Sequence, residues 1–528
     1  MTSAVSHSLW SPLRIPAFRG LWASSGIYFI GNAMQAMAAS WLMVEITGSS
    51  FLAALVQTAV FLPMFLLSLP SGVLADTTDR RRLILSALAV QAATVVLLAV
   101  LLITGVAGPG TLLFLTFIAG CCTALFSPAW NSTVVDTVPR EDLPQAITAM
   151  SMAWNSARAL GPALAGLVFA QLGAGWVFAL AVTSVLVMMQ AIRRWPPRPH
   201  PASRLPPERL WGGTLSGLRF ARHSQIILAQ LLRTMAYSGA GSALWALLPV
   251  IGQRQLGLGA AGFGLLMACL GTGAVAAGLV LGRVRARIGL EALVAAGCLV
   301  FAAVMAIAAL VHIPLVVYAA LVVGGAAWMA VMSTFNTATQ TSAPPWVRSR
   351  AAALHTLSAL GSFAIGSAFW GAISSLAGLP VALCAAAIAM AAGLMLARPF
   401  PLRMGEQHEV TPGTPWEELF LVAEPKPEDG PVAVEIGYRI RVGEAPAFLN
   451  AVTQLRAPRR RDGATFWRIY RDLSDPSRYV ERFIVTSWAD YLHQRSRSTQ
   501  ADQTLERRVR EFLASGESVT MQHYIAER

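Results

Sequence analysis

Thr148, Ser151, Asn155 and Arg158 follow one another at intervals of three, four and three residues, which puts all four on one face of a helix. They lie in a stretch, residues 146–170, that is otherwise apolar and long enough to cross a bilayer. A guanidinium facing lipid at mid-span costs at least ~2.5 to 3.5 kcal/mol, so Arg158 must face a wet cavity or a partner. Two chemistries suit it: charge-assisted binding of an anionic solute, with Asn155 beside it, or a buried structural ion pair.

A second set of candidates is weaker chemically. Arg233 lies about seven residues into another apolar stretch and can reach back to an interface, with Tyr237 and Trp245 following at four and twelve residues. Asn32, Gln35 and Asn336 sit inside apolar runs and suit a cavity lining as well as ordinary packing. Carboxylates are scarce there: Glu45 and Asp136 lie near span ends, and His355 begins another span. None is a deep group of the kind that changes protonation in a low-dielectric site.

Spacing also suggests moving parts. The segment from Gly72 to Leu85, GVLADTTDRRRLIL, resembles the loop signature of the major facilitator superfamily, with Gly72, Asp76, Arg80, Arg81 and Arg82 on its main positions. Thr77 and Asp79 depart from the usual basic and glycine residues. Physically it reads as an ionic latch, Asp76 at a helix end pairing with arginines or with a neighbouring helix N-terminus. The plainer reading is a basic loop that sets orientation. Ala149, Ala153, Ala157, Gly161 and Ala165 place a small residue at every fourth position, with Pro162 and Gly166 alongside. Such a ridge lets helices approach closely in lipid.

The elements that must carry these residues follow from composition. Of 528 residues, 55% are hydrophobic and 13% charged, about half the charge of an ordinary soluble protein. Apolar runs of span length recur twelve times between Leu21 and Ala397. The expected fold is all-α and polytopic, twelve transmembrane helices in two six-helix halves, with a small C-terminal α+β domain. The predicted divisions are 1–194 for the first half, 195–225 for a central loop, 226–397 for the second half, 398–431 for a linker and 432–528 for the terminal domain. Pro139, Gly161, Gly166 and Asn131 recur as Pro344, Gly366, Gly371 and Asn336, all at an offset of 205, which makes the halves repeats.

The net charge of +13 belongs to the membrane part, where 23 arginines up to Arg403 face 8 acids. With the N-terminus in the cytoplasm, the arginines fall in cytoplasmic connections and only Arg254 in the others. That asymmetry predicts both termini cytoplasmic, membrane lipid as the partner and no nucleic acid. Five cysteines lie in apolar runs without CxxC spacing or companion histidines, so no metal or cofactor is expected. No cleaved signal peptide is read before the first span.

From Val432 the periodicity shortens. VAVEIGYRI alternates as a strand, APAFLNAVTQL reads as a helix, ATFWRIYRDL and RYVERFIVTSW as strands, LERRVREFL as a helix and SVTMQHYIA as a strand. That βαββαβ order predicts a ferredoxin-like domain.

FRGLWASSG, the loop signature, FSPAWNSTVVDTVPREDLPQA, NSARALGPALAG and the terminal RRRDGATFWRIYRDLSDPSRYVERFIVTSWADYLHQ together resemble the transmembrane secretion effector branch of the superfamily, related to enterobactin exporters. GPALAG is similar to the glycine-proline signature of antiporters in that superfamily, with Ala165 where glycine is usual. The resemblance implies a secondary active transporter exporting siderophores, drugs or natural products through a bacterial inner membrane by alternating access, coupled to protons. Gly161, Pro162 and Gly166 take gating roles in that reading. The terminal domain is similar to antibiotic-biosynthesis-monooxygenase-like dimeric α+β barrels, which implies a homodimer. Fold does not fix chemistry, and no enzyme activity is expected. The alternative is a membrane-anchored sensor or monooxygenase-like enzyme acting through that domain.

Overall fold

Helices satisfy every backbone group within one segment, which a lipid-facing chain requires. The computed structural model of the protein, which describes residues 11–139, 142–195, 210–413 and 425–526, is accordingly dominated by long helices. The first six are α1 (Pro16–Thr47), α2 (Ser50–Thr77), α3 (Arg80–Ile103), α4 (Pro109–Thr137), α5 (Leu143–Leu172) and α6 (Ala174–Arg194). A shorter helix, α7 (Leu210–His223), follows. The second six are α8 (Gln225–Val250), α9 (Ala260–Arg287), α10 (Leu290–Leu310), α11 (Pro314–Thr341), α12 (Arg348–Ala377) and α13 (Leu379–Gly393). Eleven of these twelve long helices are apolar enough to span a membrane on length and composition alone. The twelfth is α5, whose polar stripe lowers its hydropathy.

Local chemistry fixes the helix ends. Gly48 stops α1 at φ 59°, in the left-handed region, and Ser49 caps α2 by accepting from the Leu52 amide at 3.3 Å. Asp79, which departs from the loop signature, is the N-cap of α3 and accepts from the Arg82 amide at 3.0 Å.

The chain divides into two compact units. One holds α1 to α6 together with Arg233–Thr334 and Leu357–Ala397. In it α1 packs on α5 and α6, α2 and α3 on α4, and α10 on α13. Phe18, Tyr28, Phe126, Trp130 and Met188 are fully or nearly buried at the centre of the first six helices.

The other unit holds Leu205–Leu232, Phe335–Thr356 and the chain from Arg398. Its sheet is built from β1 (Val432–Arg439), β2 (Phe466–Arg471), β3 (Arg478–Val485) and β4 (Thr520–Ile525). The order is β2-β3-β1-β4, antiparallel throughout, which is the ferredoxin-like arrangement. One face is covered by helices, and the burial of alternate residues in β1 and β3 follows from that.

The helices differ from the expectation. A four-residue turn, α14 (Gln407–Val410), precedes the sheet, and α15 (Ala445–Thr453) is followed directly by α16 (Arg456–Asp462). The third strand ends at Val485, short of Trp488, because Ser487 caps a new helix, α17 (Trp488–Arg497), by accepting from the Asp490 amide. That helix and α18 (Gln500–Arg510) replace the single helix predicted around residues 505–513. Tryptophan and tyrosine inside α17 favoured a strand reading, and the Ser487 cap overrides it.

The start of the expected linker is part of this folded unit. Gly405 N–H donates to Ser342 Oγ at 2.8 Å, Gln230 Nε2 to the Arg403 carbonyl at 3.3 Å, and Gly413 N–H to the Ser498 carbonyl at 2.8 Å. Residues 414–424 lie outside the described residues, as do 196–209 of the central loop. Further contacts bind the domain to α7 and to the α11–α12 turn. Arg219 donates to the Gly463 carbonyl at 3.0 Å, Arg461 lies over the Phe220 ring at 5.8 Å and Arg497 over the Trp346 ring at 4.4 Å.

Candidate functional site

The two six-helix halves meet along glycine and alanine. A Cβ on Gly166 of α5 would lie 2.7 Å from the Ala260 carbonyl and 3.1 Å from Gly264 Cα of α9; one on Gly271 of α9 would lie 2.6 Å from Ala159 Cα. Across the other flank, a Cβ on Gly371 of α12 would meet Ala54 of α2 at 2.4 Å, and Thr58 donates to the Ala364 carbonyl at 2.9 Å. Trp41 stacks on Phe263 at 5.3 Å, and the Arg254 guanidinium donates to the Gly48 carbonyl. All these contacts lie between the middle of the helices and the end that holds Arg254. At the other end, which carries the arginine-rich connections and is called the basic end below, Gly278 and Gly282 of α9 have open space beside them. Leu279, Ile147 and Met152 are exposed there.

Arg158 sits just on the basic side of this seal. Its guanidinium carbon is 5.3 Å from the ring centre of Trp245, so α5 of the first half and α8 of the second are linked at that point. The Arg158 side chain retains solvent access, and no salt bridge is formed with it among the described residues. Trp245 Nε1 is buried without a hydrogen-bond partner. Asn155, one turn earlier, donates to the Ser151 carbonyl at 2.8 Å, and Ser151 to that of Ile147 at 2.9 Å.

The remaining candidates disperse. Arg233 is buried and bonds Glu291, in the first turn of α10, at 2.6 and 2.7 Å. Asn32 accepts from Gln91 at 2.9 Å, and Gln91 accepts from the Tyr28 hydroxyl at 2.9 Å, so Asn32 belongs to a hydrogen-bonded chain between α1 and α3. Gln35 is buried in α1. Tyr237 is buried against Trp328 and Phe301, at 5.2 and 6.0 Å. Asn336 accepts from Gln340 on its own helix at 2.9 Å and belongs to the other compact unit.

At the predicted latch, Arg80 bonds Asp136 of α4 at 2.6 Å and Arg81 donates to the Arg193 carbonyl. Gly72 has open space, and the Asp76 side chain lies outside the described residues. Gly161 serves packing within the first half, where a Cβ would lie 2.6 Å from Ala33 Cβ. The Pro162 carbonyl, by contrast, faces Gly264 across the seam at 2.5 Å from its ideal Cβ. Sequence reasoning missed Glu291 and Gln91. A signal existed for the first: an acid in the opening turn of a span is placed to neutralise a deep arginine such as Arg233. Among the described residues no three His, Cys, Asp or Glu side chains are grouped to hold a metal ion.

Two repeated six-helix halves, sealed at one end over an arginine on the axis of contact, define a membrane transporter of the major facilitator type. The fold is shared with a bacterial homolog of the human lysosomal transporter Spinster, solved inward-facing and unoccupied: TM-score 0.56, 16% identity, covering 74% of this chain and 95% of that one. The chain belongs to the transmembrane secretion effector family, whose profile matches residues 7–528. It is 27% identical over 389 residues to the multidrug efflux pump Tap of Mycobacterium tuberculosis, covering 71% of this chain and 91% of that protein. It is 26% identical over 290 residues to the enterobactin exporter EntS of Shigella boydii, covering 53% and 67%.

Proposed function

We propose that this transporter exports small organic molecules, of the siderophore, drug or natural-product class, across a bacterial inner membrane by alternating access. The observation that carries the reading is the position of Arg158, at mid-span, solvent-accessible and directly beneath a seal made by both halves. Lipid would penalise that placement, whereas a solute cavity uses it. The arginine-rich connections orient the basic end and both termini to the cytoplasm, so the conformation is open inward and the α5–α9 and α2–α12 seams close the outer side. Relatives that pump drugs and enterobactin support the outward direction. Asp136 and Glu291, each paired to an arginine, are two of the acids that a proton-coupled cycle could use, with Glu45 a third.

Comparing metabolites inside and outside cells with and without the gene tests direction and cargo together. The expected result is an organic solute that accumulates inside when the gene is removed. In vesicles, Arg158→Ala should lower flux of that solute at least about tenfold, the loss of one charge-assisted contact in a low-dielectric site. Unchanged flux removes Arg158 from the binding site.

The C-terminal domain, in the same reading, joins a second copy through its uncovered sheet face. Tyr470 and Tyr524 are 43% and 49% exposed on that face, beside Val480 and Ile484. A full-length protein that stays monomeric at high concentration refutes this arrangement.

A further inference from the structure

The Arg158 site has an aromatic wall as well as a charge. Trp245 lies 6.0 Å from Trp328, Trp328 lies 6.2 Å from Phe363, and Phe363 meets Phe61 of the first half at 4.8 Å. Phe363 is buried, whereas Trp245, Trp328 and Phe61 each keep part of a ring accessible. On α5 itself Trp154 is 45% exposed and packs edge-on against Phe29 at 4.8 Å. One ring, Trp245, thus lies against the guanidinium, and ring contacts run on from it through Trp328 and Phe363 to Phe61 of the first half.

The polar inventory of this surface is one-sided. Arg158 offers five N–H donors and no acceptor, and its side chain keeps solvent access. A charge-assisted bond to a negative oxygen is the strongest answer to those donors. An aliphatic acid supplies the acceptor but leaves the rings unfilled. A neutral aromatic fills the ring surface but leaves the donors unanswered. An organic cation would stack on the indoles but is repelled by Arg158. Only a solute with both a π-face and a negative oxygen meets every feature.

We propose that the preferred substrates are aromatic anions, whose carboxylate or phenolate oxygen accepts from Arg158 while the ring lies against the accessible parts of Trp245 and Trp328. This rests on the transport reading above. Its test is equilibrium binding, so loss of this proposal leaves the direction and existence of transport to be judged by the cellular comparison.

Full-length protein in lipid nanodiscs is titrated with four probes of similar size: 1-naphthoate, naphthalene-1-methanol, cyclohexanecarboxylate and 1-naphthylmethylammonium. The expected order places 1-naphthoate about tenfold or more tighter than each of the others, in line with one charge-assisted bond and one ring stack. Arg158→Gln should bring 1-naphthoate down to the level of the neutral alcohol and leave the alcohol unchanged. Trp245→Leu should bring it down to the level of cyclohexanecarboxylate. Both variants are compared at matched monodispersity, and Arg158→Lys, which keeps the charge, should retain part of the anion preference. Equal binding of 1-naphthoate and its alcohol, tighter binding of the ammonium, or no binding of any probe overturns the proposal.

Discussion

Arg80 at the start of α3 and Asp136 at the end of α4 are joined at 2.6 Å, with side chains 25% and 18% exposed. The arginine-rich loop is thus tied to a span beside it through an acid that precedes α5 by only a few residues. Half-burial makes the pair worth more than a surface contact, about 1 to 2 kcal/mol. Asp136→Asn should therefore slow transport severalfold while Asp79→Asn, which keeps a capping side chain at the head of α3, changes it little. Vesicle flux of the two variants side by side measures the difference; equal effects would show that the pair has no part in the cycle.

Gly166 and Gly271 set the distance between α5 and α9. A Val at either position has no room, since backbone atoms already occupy the Cβ site at 2.7 and 2.6 Å. Both variants should separate the halves at the α5–α9 seam and abolish transport, while Gly278→Val, with open space beside it, should be tolerated. Thiol labelling of cysteines introduced along α5 near Ala165 reads the separation directly. Labelling that stays as slow as in the parent places the seal elsewhere.

Arg497 lies over Trp346 at 4.4 Å, and it also donates to the Asp462 carbonyl at 2.9 Å. A desolvated cation–π contact contributes about 2 kcal/mol. Trp346→Ala should loosen the attachment of the domain by roughly that amount, read as faster limited proteolysis between residues 414 and 431. Phe220→Ala should do the same more weakly, because Arg461 is farther from its ring, at 5.8 Å.

His523 of β4 bonds the Tyr491 hydroxyl at 2.5 Å. Burial, reinforced by the charge of Arg495, holds its imidazole below the usual histidine range. The unfolded chain therefore binds a proton more readily than the folded one. Stability from this group is full above the unfolded value of about 6.5 and is lost as pH falls through it toward the folded value. Hydrogen exchange in β4, corrected for intrinsic rate, should rise as pH drops from 7.5 to 5.5 in the full-length protein. His523→Gln should flatten that dependence.

The twelve spans were legible because each is a long apolar run, and the strands because β1 and β3 alternate under one helical layer. Arg158 was legible for a related reason: a charge in an apolar run must be explained. Residues that pair across helices were not. An acid opening a span hints that Glu291 answers an arginine, but its choice of Arg233, 58 positions away, and Gln91's choice of Asn32 are made by packing. The aromatic wall was invisible for the same reason, since Trp328 and Phe61 look like ordinary lipid-facing or core residues until the helices are side by side. Helix α17 was hidden by its aromatic content, and only the Ser487 cap betrays it.

Gln230, Ser342 and Trp346 hold the C-terminal chain at the ends of α8, α11 and α12, and those helices run unbroken through the second half. The terminal domain is thus fastened at three points, on two stretches of chain far apart in sequence, so the loss of one fastening leaves two in place.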